Sequence, residues 1–284
     1  MHRSLVGNTP LIELSSGVLA KLETYNPTGS VKDRIIHYIV NKAVANNDIK
    51  KGTTLVEATS GNTGISLSAI GASLDLEVKI IMPSNMSEER KKMMRFFGAQ
   101  IIEVAPYDFK AAIALRNKMV LQGHWSPNQF ENGENIQCHF KTTGPEIHKQ
   151  LLDRKYSWSA FISGAGTGGT MMGVTKYIRT FGIGAKSILM IPREKDHGIQ
   201  GVGDGDDYLL KKSSMDSIYE IKTIDAKDRC LSLSRELGIP VGISAAANVL
   251  TAEKYLQQNK PAGKVVTLIC DRGERYLSSF SKRL

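Results

Sequence analysis

The chain has 284 residues, 41% hydrophobic and 23% charged, with a net charge of +9. That is room for one large or two modest domains with ample core, in a composition that excludes disordered and fibrous classes. No apolar stretch is long enough to cross a bilayer, the N-terminus lacks a signal-peptide pattern, and the lysines and arginines are too scattered for a nucleic-acid patch.

The elements are predicted in chain order. Gly7-Asn8-Thr9-Pro10 reads as a turn into a short apolar strand ending at Leu14, and residues 18–22 read as a second strand. In Asn26-Pro27-Thr28-Gly29-Ser30-Val31-Lys32-Asp33-Arg34, Pro27 and Gly29 make a turn and a helix starts at Asp33. Ile35, Ile36, Ile39, Val40, Ala43 and Val44 recur along it at helical spacing. Strands at 53–57, 78–82 and 100–104 then alternate with helices at 63–74, 87–97 and 109–121, which Gly98 and Gly123 help to stop. A second run follows: helix 138–152, strand 160–163, helix 170–181, strand 187–191, helices 225–237 and 248–257, and strand 265–270. Such alternation means βαβ units and parallel sheets covered on both faces. The expected architecture is α/β with two lobes, residues 36–145 forming the smaller and 1–35 with 146–284 the larger, and ligands outside the carboxyl ends of the strands.

Lys32 sits at the mouth of a helix on a short, stiff turn. Partial desolvation near a helix N-terminus disfavours the ammonium and makes the neutral amine available to attack a carbonyl. The alternative is a solvated lysine that happens to precede a helix. Three glycine loops follow. Thr59-Ser60-Gly61-Asn62-Thr63-Gly64 runs from a strand into a helix and offers hydroxyls and free N–H groups, a seat for a small anion such as a carboxylate, or simple N-capping by Ser60 or Asn62. Gly164-Ala165-Gly166-Thr167-Gly168-Gly169-Thr170 suits a phosphate. It also fits G-x-G-x-x-G, with Glu194 where a ribose-binding acid would stand, so a nicotinamide-dependent oxidoreductase competes on this segment. The third loop, residues 198–207, suits a flat ligand or is a surface loop.

Cys138, Cys230 and Cys270 are odd in number and irregularly spaced, which points to a reducing, cytoplasmic setting. His139 directly follows Cys138, so on a helix the two side chains diverge and do not make a nucleophile–base pair. No metal-ligand spacing is present, and no metal is expected. The diffuse positive field favours small anionic substrates.

Taken together, Asn26 to Arg34, Thr59 to Gly64, Gly166 to Thr170 and Gly242-Ile243-Ser244 resemble the cysteine synthase branch of the fold-type II pyridoxal-phosphate enzymes. The likeness runs from Val6-Gly7-Asn8-Thr9-Pro10-Leu11 to Gly273-Glu274-Arg275-Tyr276-Leu277-Ser278. It implies a two-lobed fold like the tryptophan synthase β-subunit, with pyridoxal 5'-phosphate in the interlobe cleft. By that resemblance Lys32 holds the cofactor and later moves the substrate's α-proton. Asn62 bonds the cofactor's ring oxygen, Gly166, Thr167, Gly168, Gly169 and Thr170 cup its phosphate, and Ser244 faces its ring nitrogen. Thr59, Ser60, Gly61, Thr63 and Gln129 clasp the substrate carboxylate and close the smaller lobe, with Gly201 also in the substrate site. The implied reaction is β-replacement, activated serine plus sulfide giving cysteine, in a homodimer that could also bind the C-terminal peptide of serine acetyltransferase.

Several departures bear on substrate choice. Ile191-Pro192-Arg193 replaces a usual Glu-Pro, and Ser244-Ala245-Ala246 a usual Ser-Ser-Gly. Asp204 stands where a small apolar residue is common, with Asp206 and Asp207 nearby. Asp204 is either a solvated loop acid or a general base toward the substrate's β-carbon. In the second case β-elimination or β-replacement on cysteine, releasing hydrogen sulfide, becomes the alternative activity. A non-catalytic peptide-binding scaffold is the further alternative, against which the intact Lys32 argues.

Overall fold

The computed structural model describes residues 5–203 and 208–280. The elements are β1 (Leu11–Glu13), β2 (Leu19–Leu22), α1 (Lys32–Ala45), β3 (Leu55–Ala58), α2 (Asn62–Ser73) and β4 (Val78–Pro83). Next come α3 (Glu88–Phe96), β5 (Gln100–Val104), α4 (Phe109–Leu121), α5 (Glu134–Lys141), α6 (Thr143–Leu152) and β6 (Trp158–Gly164). The chain continues with α7 (Gly169–Thr180), β7 (Lys186–Pro192), β8 (Ser217–Ile221), α8 (Thr223–Leu237), α9 (Ile243–Asn259) and β9 (Lys264–Ile269). A 3-10 helix at Gly273–Phe280 follows.

By internal contacts the chain divides into two units, one built around Asn26–Asn132, the other from Gly7–Tyr25 and Gly133 onward. Lys32 belongs to the first unit, whereas the predicted division at residue 35 groups it with the glycine loop at 164.

The first unit holds a three-stranded parallel sheet in the order β3-β4-β5. Val56, Ala58 and Ile81 pack there against Ala112 and Met119 of α4. Helix α2 is buried at every residue from Thr63 to Gly71, which its small and apolar side chains permit. At Gly71 a Cβ would stand 2.2 Å from Val78 Cγ2, so helix and strand approach as closely as they do only because glycine is there.

The second unit holds a six-stranded sheet in the order β1-β2-β9-β6-β7-β8. All its pairs are parallel except β1 with β2, a departure from the all-parallel expectation that the short turn between them explains. One face packs Ile162, Ile188 and Val265 against Ala226 and Leu233 of α8 and Val249 and Ala252 of α9. The other packs Phe161, Leu189 and Val266 against Ile147 of α6 and Val174 of α7. Strand β2 is buried at all four residues, Lys21 among them, whose ammonium meets Glu146 Oε2 at 2.8 Å and the Thr9 carbonyl at 2.6 Å.

The predicted helix over 138–152 is two helices, α5 and α6. Thr142 departs from helical geometry at φ −125, ψ −69, its hydroxyl donates to the Cys138 carbonyl at 2.7 Å, and Pro145 in the first turn of α6 has no N–H to continue α5. Strand β8 is not predicted from the sequence. It is an edge strand with Ile218 and Glu220 exposed, so it lacks a clear apolar face. Helix α9 begins at Ile243, five residues before the predicted start, because Ala245, Ala246 and Ala247 are strong helix formers. Among the described residues no helix is long and apolar enough to cross a membrane.

Candidate active site

In the first unit Lys32 is the first residue of α1 and is half-buried. The turn before it is closed by the Gly29 N–H donating to the Asn26 carbonyl at 2.8 Å, with Gly29 at φ +79, a conformation natural to glycine. Ser30 Oγ accepts the Lys32 N–H at 3.3 Å. Sequence reasoning overlooked the residue that holds this turn. Asp33, fully buried, accepts the Thr28 N–H at 2.7 Å, the Thr28 hydroxyl at 2.5 Å and the Ser66 hydroxyl at 2.5 Å. Ser66 lies on α2, so one carboxylate ties the lysine turn to the helix that Asn62 opens. The signal available was an acid beside the lysine with serine and threonine nearby, too common a pattern to single out.

Gly61 precedes α2 in an extended conformation, and Thr59 Oγ1 accepts its N–H at 3.3 Å. Thr63, in the first turn of α2, donates its hydroxyl to Gln129 Oε1 at 2.6 Å. The structure therefore joins Thr59, Gly61, Thr63 and Gln129, distant in sequence, at one helix N-terminus whose N–H groups favour an anion. Ser60 is half-buried, and its carbonyl accepts from Arg90 Nη1 at 3.4 Å. A Cβ at Gly64 would meet Met94 Cε at 2.6 Å, which keeps α2 and α3 close behind the loop.

Beneath this seat lies Glu57, fully buried at the end of β3. Its Oε1 accepts the Ala58 N–H at 2.9 Å and its Oε2 the Gln129 N–H at 3.2 Å. Burial pushes its carboxyl above the ordinary range, while the Arg116 guanidinium and these N–H donors act in the opposite direction.

In the second unit the loop from Gly164 to Thr170 joins β6 to α7, as the sequence implies. Its glycines are required by close approach. A Cβ at Gly166 would stand 2.5 Å from the Gly201 carbonyl oxygen, one at Gly168, where φ is +88, 2.5 Å from the Leu210 nitrogen, and one at Gly169 1.8 Å from Asn135 Oδ1. Thr167 Oγ1 accepts from Asn135 Nδ2 at 3.0 Å and from the Gly169 N–H at 3.4 Å. Thr170 Oγ1 is 3.1 Å from His139 Nε2, whose other ring nitrogen lies 2.8 Å from Thr143 Oγ1. His139 thus serves the loop. Gly201 lies beside Gly166, and Asp204, Asp206 and Asp207 lie outside the described residues.

Ser244 is in the first turn of α9, buried, and its hydroxyl makes no hydrogen bond among the described residues. Asn248 of the same helix accepts the Gly164 N–H at 2.7 Å and so fixes α9 to the start of the glycine loop. A hydroxyl on a buried residue that makes no hydrogen bond among the described residues, with a glycine loop running into a helix N-terminus in the same unit, fits a phosphorylated, ring-bearing group. Glu194 has another use than a ribose contact. Its carboxylate accepts the Thr223 N–H at 3.0 and 3.1 Å and the Thr223 hydroxyl at 3.2 Å, capping α8. That removes the acid a dinucleotide site requires.

Residues 2–271 match the pyridoxal-phosphate dependent enzyme family. The chain is 37% identical to cysteine synthase B of Pseudomonas aeruginosa over 287 residues, 96% of this chain and 94% of the relative. Among solved structures it is similar to a cysteine synthase of Entamoeba histolytica, with 34% identity and a TM-score of 0.90 over 100% of this chain and 91% of that one. It is also similar to a hydrogen sulfide-producing enzyme of Fusobacterium nucleatum, with 35% identity and a TM-score of 0.91 over 99% of this chain and 90% of that one. The α/β fold is that of the fold-type II enzymes, and the chain belongs to the pyridoxal-phosphate-dependent enzyme family, in the cysteine synthase branch.

Proposed function

We propose that this enzyme replaces the β-substituent of an amino acid, with an activated serine and sulfide as substrates and cysteine as product. The observation that carries the reading is Lys32 on α1 tied through Asp33 and Ser66 to α2, whose N-terminus gathers Thr59, Thr63 and Gln129. An amine and a carboxylate seat on adjoining helices are what an amino-acid substrate requires.

In this reading Lys32 Nζ would hold the cofactor's aldehyde, and its amine would be the base that removes the substrate's α-proton. Bound pyridoxal phosphate supplies a ring that takes up the electrons released at the substrate's α-carbon. The Gly166–Thr170 loop would hold the phosphate, Asn62 the ring oxygen, and the Ser244 hydroxyl would serve the ring nitrogen. Thr59, Ser60, Gly61, Thr63 and Gln129 fix the substrate carboxylate, which orients the α-proton toward Lys32. The β-substituent leaves with its bonding electrons, sulfide then bonds to the β-carbon, and Lys32 returns the proton to the α-carbon.

A second reading takes cysteine as the donor, releasing hydrogen sulfide, with Asp204 as the base that activates water or a thiol. It is favoured by the aspartate at position 204 and by the likeness to the sulfide-producing Fusobacterium enzyme. A homodimer, docking of a serine acetyltransferase C-terminal peptide, and a cytoplasmic setting complete the proposal, supported by the family resemblance and by the odd number and irregular spacing of the cysteines.

The test is an absorbance spectrum of the purified protein during addition of O-acetylserine, O-phosphoserine, serine and cysteine in turn, with sulfide measured in parallel. A yellow protein that loses its colour as Lys32→Ala, and responds to an activated serine, supports the first reading. Sulfide release from cysteine that Asp204→Ala abolishes supports the second, and a colourless protein that takes up no pyridoxal phosphate overturns both.

A further inference from the structure

Trp125 is held against β3 by a single parallel bridge, and the segment to Gln129 follows it. Trp125 donates its N–H to the Thr54 carbonyl at 3.0 Å, and its own carbonyl accepts the Val56 N–H at 2.8 Å. Beyond Trp125 the backbone pairing stops and a buried charge pair takes over. Arg116 of α4, 3% exposed, has Nη1 3.7 Å from Glu57 Oε1, 2.8 Å from Asn128 Oδ1 and 3.3 Å from Ser126 Oγ. Asn128 has φ +46, and Ser126 Oγ accepts its N–H at 3.1 Å. Glu57 then takes the N–H of Gln129, and the side chain of Gln129 takes the hydroxyl of Thr63. A continuous path runs from α4 through the charge pair to the first turn of α2.

We propose that Glu57 and Arg116 are positioning residues that set Gln129, and through it Thr63, for recognition of the substrate's carboxylate. The inference rests on reading Thr59 to Thr63 with Gln129 as that seat. Two physical points support it. A well-packed apolar pair stabilises a core at least as well as a buried ion pair does. It could not, however, accept the Gln129 N–H or grip Asn128 and Ser126 at once. In addition, Arg116 neutralises Glu57, so a carboxylate is held below the seat without presenting net negative charge to an anionic ligand.

The test uses the cofactor-loaded enzyme and the variants Glu57→Gln, Arg116→Lys and Thr63→Val. Glu57→Gln keeps the volume but points an NH2 at one of the two N–H donors that the carboxylate accepts. Arg116→Lys keeps the charge but loses the planar fork that spans Asn128, Ser126 and Glu57. Binding of L-methionine, which has no leaving group on its β-carbon, is followed by the cofactor's absorbance, together with KM and kcat for the amino-acid donor. The expected result is an unchanged resting spectrum with methionine affinity weakened, and KM raised, about tenfold, and kcat altered less than about threefold, the scale of one lost buried hydrogen bond. Glu57→Gln with the parent's affinity and KM, whatever its melting temperature, overturns the proposal. If that variant fails to fold, Arg116→Lys with the parent's affinity and KM overturns it instead. Thr63→Val with unaltered affinity would mean that the seat itself was misread, which separates that failure from failure of the charge pair.

Discussion

Asp33 follows Lys32 directly, yet its side chain turns back to Thr28 and across to Ser66, and in doing so it fixes the backbone from which the lysine projects. Asp33→Asn retains the shape but not the charge and replaces an acceptor oxygen by a donor. It should lower stability by about 1.5–3 kcal/mol, the range for a hydrogen bond to a charged group, read as a reduced urea midpoint. It should also slow uptake of pyridoxal phosphate, followed by the growth of visible absorbance. The cysteines give a second prediction at this scale. Burial, with the nearby Asp271 carboxylate, pushes the Cys230 thiol up to about 12, and its sulfur donates to the Val241 carbonyl. Since the thiolate is the reactive form, Cys230 should resist iodoacetamide at pH 8 in the native protein and react once denatured, as mass spectrometry of the labelled peptide would report.

Among the elements, the break between α5 and α6 brings Gly144 against the ring of Tyr177. A Cβ there would lie 2.7 Å from Tyr177 Cγ, at the root of the side chain, where the ring cannot swing aside. Gly144→Ala should therefore destabilise by about 1–3 kcal/mol through overpacking, seen as a lower melting temperature. The cap on α8 predicts a pH dependence. The N–H and hydroxyl of Thr223 hold the Glu194 carboxyl below its ordinary value of 4.5. A carboxyl depressed on folding contributes stability that is present above the unfolded value and lost as pH falls through the folded one. Glu194→Gln should lower the urea midpoint at pH 7, and the gap from the parent should narrow as pH drops below 4.5.

For the whole molecule, a cofactor that binds only the native state stabilises by mass action. Free pyridoxal phosphate at about a hundred times its dissociation constant adds about 2.7 kcal/mol, roughly 4–5 °C in melting temperature for a chain of this size. The rise should vanish in Gly169→Ala, where a Cβ 1.8 Å from Asn135 Oδ1 must displace the side chain that holds Thr167. Calorimetric scans with and without the cofactor check both statements.

Periodicity and punctuation made much of the fold legible in the sequence. The helices over Phe109–Leu121 and Thr223–Leu237 and the strand over Gln100–Val104 stand within two residues of their predicted limits, because local spacing and stop signals act over a few residues. The glycine loop and the turn before Lys32 were readable for the same reason. What lay outside the sequence was decided by groups far apart in the chain. Glu57 with Gln129, Asp33 with Ser66, and Lys21 with Glu146 are buried polar partners that no local pattern joins, and Glu194 became a helix cap only once β7 and α8 were adjacent. A buried charge must find its partner wherever the fold supplies one, and proximity in space, unlike helical spacing, is written nowhere along a single chain.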